Sequence, residues 1–256
     1  MRVPPRRSPV LLKTCYDNAM RFKTHISKTQ NGELSIRGYT IHNLIKKHSF
    51  AEVVFLLIRG DLPSEEECSL LEAIFVAGAE GGIAPPSAFV SRISTSVGND
   101  MHVALAAGIL STGKRHGGAV EDAAALFEDT RRNAQDIVKS FQAEKKNIPG
   151  FGHKAYKNED VRATALYEKS LSIASTGPFA RAYEIEKELE RVKGKKLPLN
   201  IDGAIAAAIL TLGFPAKAGN VFFILPRIAG MAAHILEEQE QNVFYRRLDA
   251  TDIEET

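Results

Sequence analysis

Two histidines and an aspartate are the groups best suited to moving protons, and each lies where a helical pattern is interrupted. They are His116 in "STGKRHGGAVEDAA", His153 at the end of "NIPGFGH", and Asp202 in "KGKKLPLNIDGAIAAAIL". Imidazole titrates near neutral pH and a carboxylate can take a proton from a weak acid, so the set is equipped for general acid–base chemistry. The proline and two glycines ahead of His153 punctuate the backbone instead of building an amphipathic face, which puts that histidine on a shaped loop. Arginines form a second layer: Arg162, Arg227, and the pair Arg246 and Arg247 in "FYRRLDATD". Guanidinium forks bind carboxylates bidentately, so these residues together suit a small polycarboxylate. Arg227 interrupts an apolar stretch, where a charge is costly unless it meets a carboxylate.

Each residue also has a plainer reading. His116 would end a helix favourably as a cation, and Asp202 would make a good N-cap. Arg162, Arg246 and Arg247 would serve as solvated surface charges. His25, His42 and His48 read as surface or capping residues, His102 as the start of a helix, and His234 as packing or interface.

The elements that must position these groups are helical almost throughout. Ser49 can cap a helix that stops at Gly60, and Ser64 caps the next with Glu65, Glu66 and Glu67 in its first turn. "MHVALAAGIL", "AVEDAAALFEDTRRNAQDIVKSF", "DVRATALYEKSLSIA", "FARAYEIEKELERV", "DGAIAAAILTLG" and "NVFFILPRIAGMAAHILEEQEQ" carry helical periodicity, while "ELSIRGYTI" allows a short hairpin. The fold class is therefore all-α. The helices around Leu105–Leu110 and Ala204–Leu212 are apolar nearly all round, as in the centre of a bundle or an interface. The stretch 119–195 is more charged. The pattern predicts a tail over residues 1–24, a large domain from 25–117 and 206–256, and a smaller one over 118–205, with a cleft between them.

Composition narrows the function classes. A net charge of +2 in 256 residues, 25% of them charged, points to neither nucleic acid nor a membrane surface. "VFFILPRIAGMAAHIL" is broken by Pro226 and Arg227, so no run is expected to reach membrane-spanning length. Cys15 and Cys68 lie far apart, outside any metal spacing, and read as free thiols in a reducing compartment. The basic start lacks a signal-peptide core, and a cytoplasmic location is expected.

Taken in order, these segments resemble the citrate synthase superfamily. "LSIRGYTIHNLIKKHSFAEVVFLLIRGDLPSEEE", "STGKRHGGA", "PGFGHKAYKNEDVR", "LPLNIDGAIAAAILTLGFP" and "FFILPRIAGMAAHILEE" are similar to successive motifs of that family, over about residues 30–247. The compact length and "LAAGILSTGKRHGGAVEDAAALF" look more like stand-alone citryl-CoA lyases and the citryl-CoA lyase portion of ATP-citrate lyases. The resemblance implies a helical fold of two lobes around an active-site cleft. It also implies cleavage of citryl-CoA to acetyl-CoA and oxaloacetate, with net citrate or methylcitrate synthesis, or a non-catalytic CoA-binding homologue, as alternatives.

By the same resemblance His116, His153 and Asp202 would be catalytic. Arg162, Arg227 and Arg246 would hold substrate carboxylates, Arg246 from the other subunit of a dimer. Coenzyme A would be met by Gly150, Phe151, Gly152, Lys195, Lys196 and Asn200, with Lys193, Lys154 or Lys157 near its phosphates. CoA enters as a substrate thioester; no permanent cofactor and no metal is implied. Two departures stand out: Gly81, in "AGAEGGIAPPSAF", occupies a position where the family often has a histidine that helps bind oxaloacetate, and "NEDVR" lacks the family's proline.

Overall fold

The computed structural model describes residues 22–153, 156–242 and 244–254. The expected tail to residue 21, Cys15 and Lys154 lie outside them. The chain divides into two units, one ending at Ser49 and one beginning at Phe50.

In the first unit, strands β1 (Ser27–Gln30), β2 (Glu33–Ile36) and β3 (Tyr39–Thr40) form an antiparallel sheet in the order β1-β2-β3. Ser27 lies opposite Ile36, and Ile36 opposite Tyr39. The two turns each use a pair of residues at positive φ, Asn31–Gly32 and Arg37–Gly38, the backbone that a tight hairpin requires. The hairpin expected over "ELSIRGYTI" is thus present, with a further strand before it. Helix α1 (Ile41–Lys47) follows, capped by the Thr40 hydroxyl, which accepts from the Asn43 amide at 3.3 Å.

The second unit is helical among the described residues. Its elements are α2 (Phe50–Arg59), α3 (Glu65–Ala79), α4 (Pro86–Ser96), α5 (Met101–Leu110), α6 (Ala119–Glu128), α7 (Ala134–Ala143), α8 (Val161–Ser170), α9 (Pro178–Lys193), α10 (Ile201–Thr211) and α11 (Gly219–Gln241). Single turns of tighter helix sit at Ala216–Ala218 and Ala250–Asp252. Starts follow local chemistry: Ser64 and Glu67 form a reciprocal capping box, Asn133 caps α7, and prolines open α4 and α9.

Helix α10 is the axis of this unit. Gly203 through Ile209 are all buried, and α3, α6, α8, α9 and α11 pack on it. Its glycine and alanines leave room for neighbours to come close, while Ile205 and Ile209 fill the space between them. Beside it, Phe214 stacks between Phe55 and Phe222 at centroid distances of 5.1 and 4.5 Å, within the range where aromatic pairs add to burial.

Of the two settings expected for the apolar helices, the centre of a bundle holds for α10 and not for α5, and the expectation for the last long helix changes. Helix α5 is apolar all round yet buries only Ala104 and Gly108 in this chain, leaving Leu110 84% exposed. Helix α11 runs straight through Pro226 and Arg227, and the span Ala216–Gln241 is long and apolar enough to cross a membrane. The proline is accommodated because its ring lies against Gly78 of α3, where an added Cβ would stand 2.7 Å from Pro226 Cγ. The helix packs against α3, α4, α5, α6 and α10 and buries Arg227 and Glu238, so it is a core helix.

Candidate active site

The loop that carries His153 is stitched to the segment that opens α10. Phe151 and Leu199 form an antiparallel bridge; the Gly152 amide donates to the Pro198 carbonyl at 2.8 Å, and the Asn200 amide donates to the Gly150 carbonyl at 3.0 Å. Gly150 and Gly152 both adopt positive φ, 86° and 80°, a backbone that favours glycine. At Gly150 the approach is also close: a Cβ there would lie 2.8 Å from the Gly203 Cα. Asn200 caps α10, accepting from the Gly203 amide at 3.1 Å while donating through Nδ2 to the Gly152 carbonyl at 2.9 Å. The capping role considered for Asp202 thus belongs to Asn200, and Asp202 stands two residues into the helix with its carboxylate unspent on a cap.

A second tie holds the same helix start. Asp160, buried at the N-terminus of α8, accepts from Arg162 Nε at 2.9 Å, Arg162 Nη2 at 2.8 Å, the Arg162 amide at 3.1 Å and the Ile201 amide at 3.1 Å. Burial alone would raise the Asp160 pKa, but the Arg162 hydrogen bonds and charge outweigh it and hold the carboxyl below its usual range. Arg162 is therefore a braced, half-buried group and not a loose surface charge; it also lies over the Tyr156 ring, 5.2 Å from its centroid.

Asp202 is the electrostatic centre of the cluster. Burial pushes its carboxyl up from the ordinary aspartate value, and the charges of Arg162, Arg227 and His153 pull it back only in part. Arg227, on α11, acts on it through space. The residue is 8% exposed, its Cζ sits 5.3 Å from the Phe223 ring centroid, and its buried Nε has no hydrogen-bond partner. Among the described residues no carboxylate stands at ion-pair distance from it; Glu80 and Asp202 act on it through space. Burial lowers its pKa, as expected of a cation lacking a full counter-charge.

His116 arrives on the turn between α5 and α6. Its Nε2 lies 2.9 Å from the Ser87 hydroxyl and accepts from the Ser87 amide at 3.4 Å. An N–H donor aimed at Nε2 leaves the ring proton on Nδ1. Burial, and then the Arg227 charge, lower its pKa, which favours a neutral imidazole. The ring meets Phe223 edge-on at 5.4 Å. His116 and His153 line one cleft of about 880 Å³, together with Gly81, Pro85, Pro86 and Gly152. Tyr156 orients His153, its amide donating to Nδ1 at 3.2 Å.

The remaining expected residues divide. Phe151 and Gly152 line adjoining cavities of about 360 and 1060 Å³. Their polar walls include Lys157 and Lys193 in the first, Lys114, Arg115, Arg132 and Asn200 in the second, and Lys146 in both. The Asn200 amide is engaged at both ends, and Lys196 stands 3.7 Å from Glu186; neither it nor exposed Lys195 lines these cavities. Arg246 does not join the catalytic candidates in its own chain: its guanidinium is tied to Glu238 at 2.6 Å and Gln241 at 2.9 Å, and its amide to Ser96 at 3.0 Å. His234 has Nε2 3.2 Å from Glu80 and Nδ1 3.7 Å from Glu237, so its ring meets carboxylates as well as its packing neighbours. Ser87, Asp160 and Phe223 were not singled out by sequence. Only Asp160 had a local signal, an aspartate just before a helix. Among the described residues no cluster of histidine, cysteine and carboxylate has the makings of a metal site.

An acid or base at Asp202, a hydrogen-bond donor at His116, a second imidazole and two arginines can activate a carbon acid beside an anionic partner. Comparison with known proteins points the same way. Two overlapping segments, residues 16–80 and 65–247, match the family model "Citrate synthase, C-terminal domain". The chain is 30% identical over 195 residues to a 2-methylcitrate synthase of Shewanella oneidensis, covering 74% of this chain and 52% of that one. It is 29% identical over 210 residues to citrate synthase 2 of Bacillus subtilis, covering 80% and 56%. It thus spans about half the length of the curated relatives it matches. Among solved structures it is similar to citryl-CoA lyase from Hydrogenobacter thermophilus, with a TM-score of 0.86, 41% identity, and coverage of 92% of this chain and 94% of that one. ATP citrate lyase from Methanothrix soehngenii, in complex with citrate and coenzyme A, gives a TM-score of 0.84 and 26% identity over 100% of this chain and 46% of that one. With a family model that matches most of the chain and a helical frame shared with solved relatives, the chain belongs to the citrate synthase family.

Proposed function

We propose that this chain is a citryl-CoA lyase, cleaving citryl-CoA to acetyl-CoA and oxaloacetate. The observation that carries the reading is the electrostatic cluster of Asp202, Arg162, Arg227 and His153, beside the cleft that His153 shares with His116. The likeness to a solved citryl-CoA lyase over nearly the full length of both chains favours cleavage. Arg162 and Arg227 hold carboxylates of the citryl group. His153 takes the proton of its hydroxyl, the carbon–carbon bond breaks as the new carbonyl forms, and the electron pair passes into the thioester as an enolate. His116, with its proton on Nδ1, donates to the enolate oxygen. Asp202 delivers a proton to the carbon, and its burial-raised pKa suits it to hold that proton. Coenzyme A lies along the His153 loop, where Phe151 and Gly152 line the adjoining cavities, and the lysines of those cavities, Lys146, Lys157 and Lys193 among them, face its phosphates. Residues 118–205 act as a small domain closing over the rest, which excludes water from the thioester.

Incubation with citryl-CoA, and separately with acetyl-CoA plus oxaloacetate, tests the reading. Acetyl-CoA should accumulate in the first reaction without release of free CoA. Free CoA in either reaction would reject the lyase assignment for the synthase reading, since a synthase also hydrolyses the citryl-CoA thioester, and that reading is the one the citrate and 2-methylcitrate synthase relatives favour. Binding of CoA without turnover in either direction would mark a non-catalytic homologue.

The protein is expected to work as a dimer in the cytoplasm. The uncovered apolar residues of α4 and α5, with Phe89 at 39%, Ile93 at 43% and Leu110 at 84% exposed, suit a subunit interface. Arg246 reaches a neighbouring site only by giving up Glu238. Sedimentation of the purified chain would show a monomer if this is wrong.

A further inference from the structure

His153 lies at an exposed point of its loop, yet the proposed cleavage needs its imidazole at one angle to the substrate hydroxyl. Asn200 fixes the backbone just before it, at the Gly152 carbonyl, and leaves the direction of the side chain open. The Tyr156 amide donates to Nδ1 at 3.2 Å, which any residue but proline could do from that position. The Tyr156 ring adds what only an aromatic can. Its centroid lies 4.8 Å from the imidazole centroid, with the planes inclined at 43°, inside the range of favourable ring contact. The same ring centroid is 5.2 Å from Arg162 Cζ, close enough for a cation to be drawn to an aromatic face. Arg162 is not free to follow the loop. Asp160 accepts from its Nε at 2.9 Å and its Nη2 at 2.8 Å, and this buried carboxylate also accepts from the Ile201 amide at 3.1 Å. Ile201 is the residue before Asp202. Contacts therefore run without a gap from the start of the Asp202 helix through Asp160, Arg162 and Tyr156 to His153. His153 lines both the cleft it shares with His116 and the 360 Å³ cavity, and Tyr156 lines neither.

We propose that Tyr156 is a positioning residue whose ring carries the fixed position of the Asp202 helix start to the imidazole of His153. The task given to His153 rests on the citryl-CoA reading; the ring contact does not. Without the ring, His153 keeps its place in the loop and its amide contact, but the imidazole can swing over a wider arc. A smaller share of the bound complexes then holds the geometry in which the hydroxyl proton can pass. That loss falls on kcat and not on binding, because Tyr156 walls neither ligand space and Asp160 still braces Arg162. The phenol hydroxyl has no part in the contact with His153, so phenylalanine serves as well as tyrosine.

The test is steady-state cleavage of citryl-CoA by the whole protein for the native chain, Tyr156→Leu and Tyr156→Phe, with thermal unfolding of each. NMR shifts of the His153 ring protons, which a neighbouring aromatic ring displaces, are recorded alongside. Tyr156→Leu should melt close to the native chain, keep KM within about threefold and lose at least about tenfold in kcat, since a small misplacement of a reacting group is costly. Its His153 proton shifts should move towards those of an imidazole in open solvent. Tyr156→Phe should restore the native shifts and bring kcat to within about twofold of native. A folded leucine variant with native kcat overturns the assignment, and so does a phenylalanine variant as slow as the leucine one. His153 shifts unaltered in Tyr156→Leu overturn it as well, and they are read without any turnover. If the native chain instead releases free CoA, the lyase reading falls, and the same kcat comparison with acetyl-CoA plus oxaloacetate decides Tyr156.

Discussion

The Asn200 carboxamide joins the two pieces of chain that carry His153 and Asp202. It donates to the Gly152 carbonyl at 2.9 Å with its nitrogen and accepts from the Gly203 amide at 3.1 Å with its oxygen. One side chain thus caps a helix and anchors a loop, and the two tasks separate by mutation. Asn200→Ala removes both, and should cost about 1 kcal/mol of stability from the cap as well as turnover. Asn200→Asp keeps an acceptor for Gly203 but cannot donate to Gly152. It should melt close to the native protein while kcat falls roughly tenfold, since small misplacements of a catalytic group are expensive. Native turnover by the aspartate variant would show that the anchor has no catalytic importance.

Asp202 is held in a state that favours its protonated form. Burial raises its folded pKa above the unfolded value. Its contribution to stability is then fully present below the unfolded carboxylate pKa, near ~3.9, and is lost as pH rises through the folded pKa. Replacing it by a neutral isostere removes that loss. Asp202→Asn should therefore melt higher than the native chain at pH 7, with the difference shrinking towards pH 4, while kcat drops by about 10²–10⁴. Melting curves at the two pH values and a steady-state assay check both halves, and a lower melting temperature at pH 7 would contradict the sign.

Ser87 positions His116 and does not itself reach the reacting atoms in the proposed chemistry. Removing its hydroxyl in Ser87→Ala leaves only the longer 3.4 Å amide contact to define which ring nitrogen is protonated. We expect kcat to fall about tenfold with KM little changed, and the ¹⁵N shifts of His116 to move towards a mixture of tautomers. The native pH profile should lose activity as the ring protonates, at a pH below the ordinary histidine range because burial and Arg227 oppose the charge. Unmixed tautomer shifts in the variant would place the control elsewhere.

Much of this site was legible where backbone chemistry is local. Proline and glycine around His153 marked a loop, and Ser64 with Glu67 marked a capped helix, because turns and caps involve residues three or four apart. Asn200 and Asp202 are both good capping residues two positions apart, and the choice between them was made by Phe151 pairing with Leu199 across the loop. No local pattern contains that pairing. Ser87 and His116 meet across 29 residues of chain, and "APPSAF" reads simply as the start of a helix. Helix α5 looks as apolar as α10 along the chain; that one is enclosed and the other half uncovered is decided by what packs on each. Pro226 reads as a break, and α11 continues through it because Gly78 on another helix leaves room for the ring.

The contact between Gly150 and Gly203 works as a fixed gauge. Backbone touches backbone there: a Cβ on Gly203 would lie 2.5 Å from the Gly150 carbonyl oxygen, and one on Gly150 would lie 2.8 Å from the Gly203 Cα. Atomic radii, and not a side chain that could be trimmed or lengthened, set how near the histidine loop comes to the aspartate helix. Descendants of this sequence could drift widely in their surroundings, but they keep that spacing only while both positions stay glycine, since a side chain on either would force loop and helix apart.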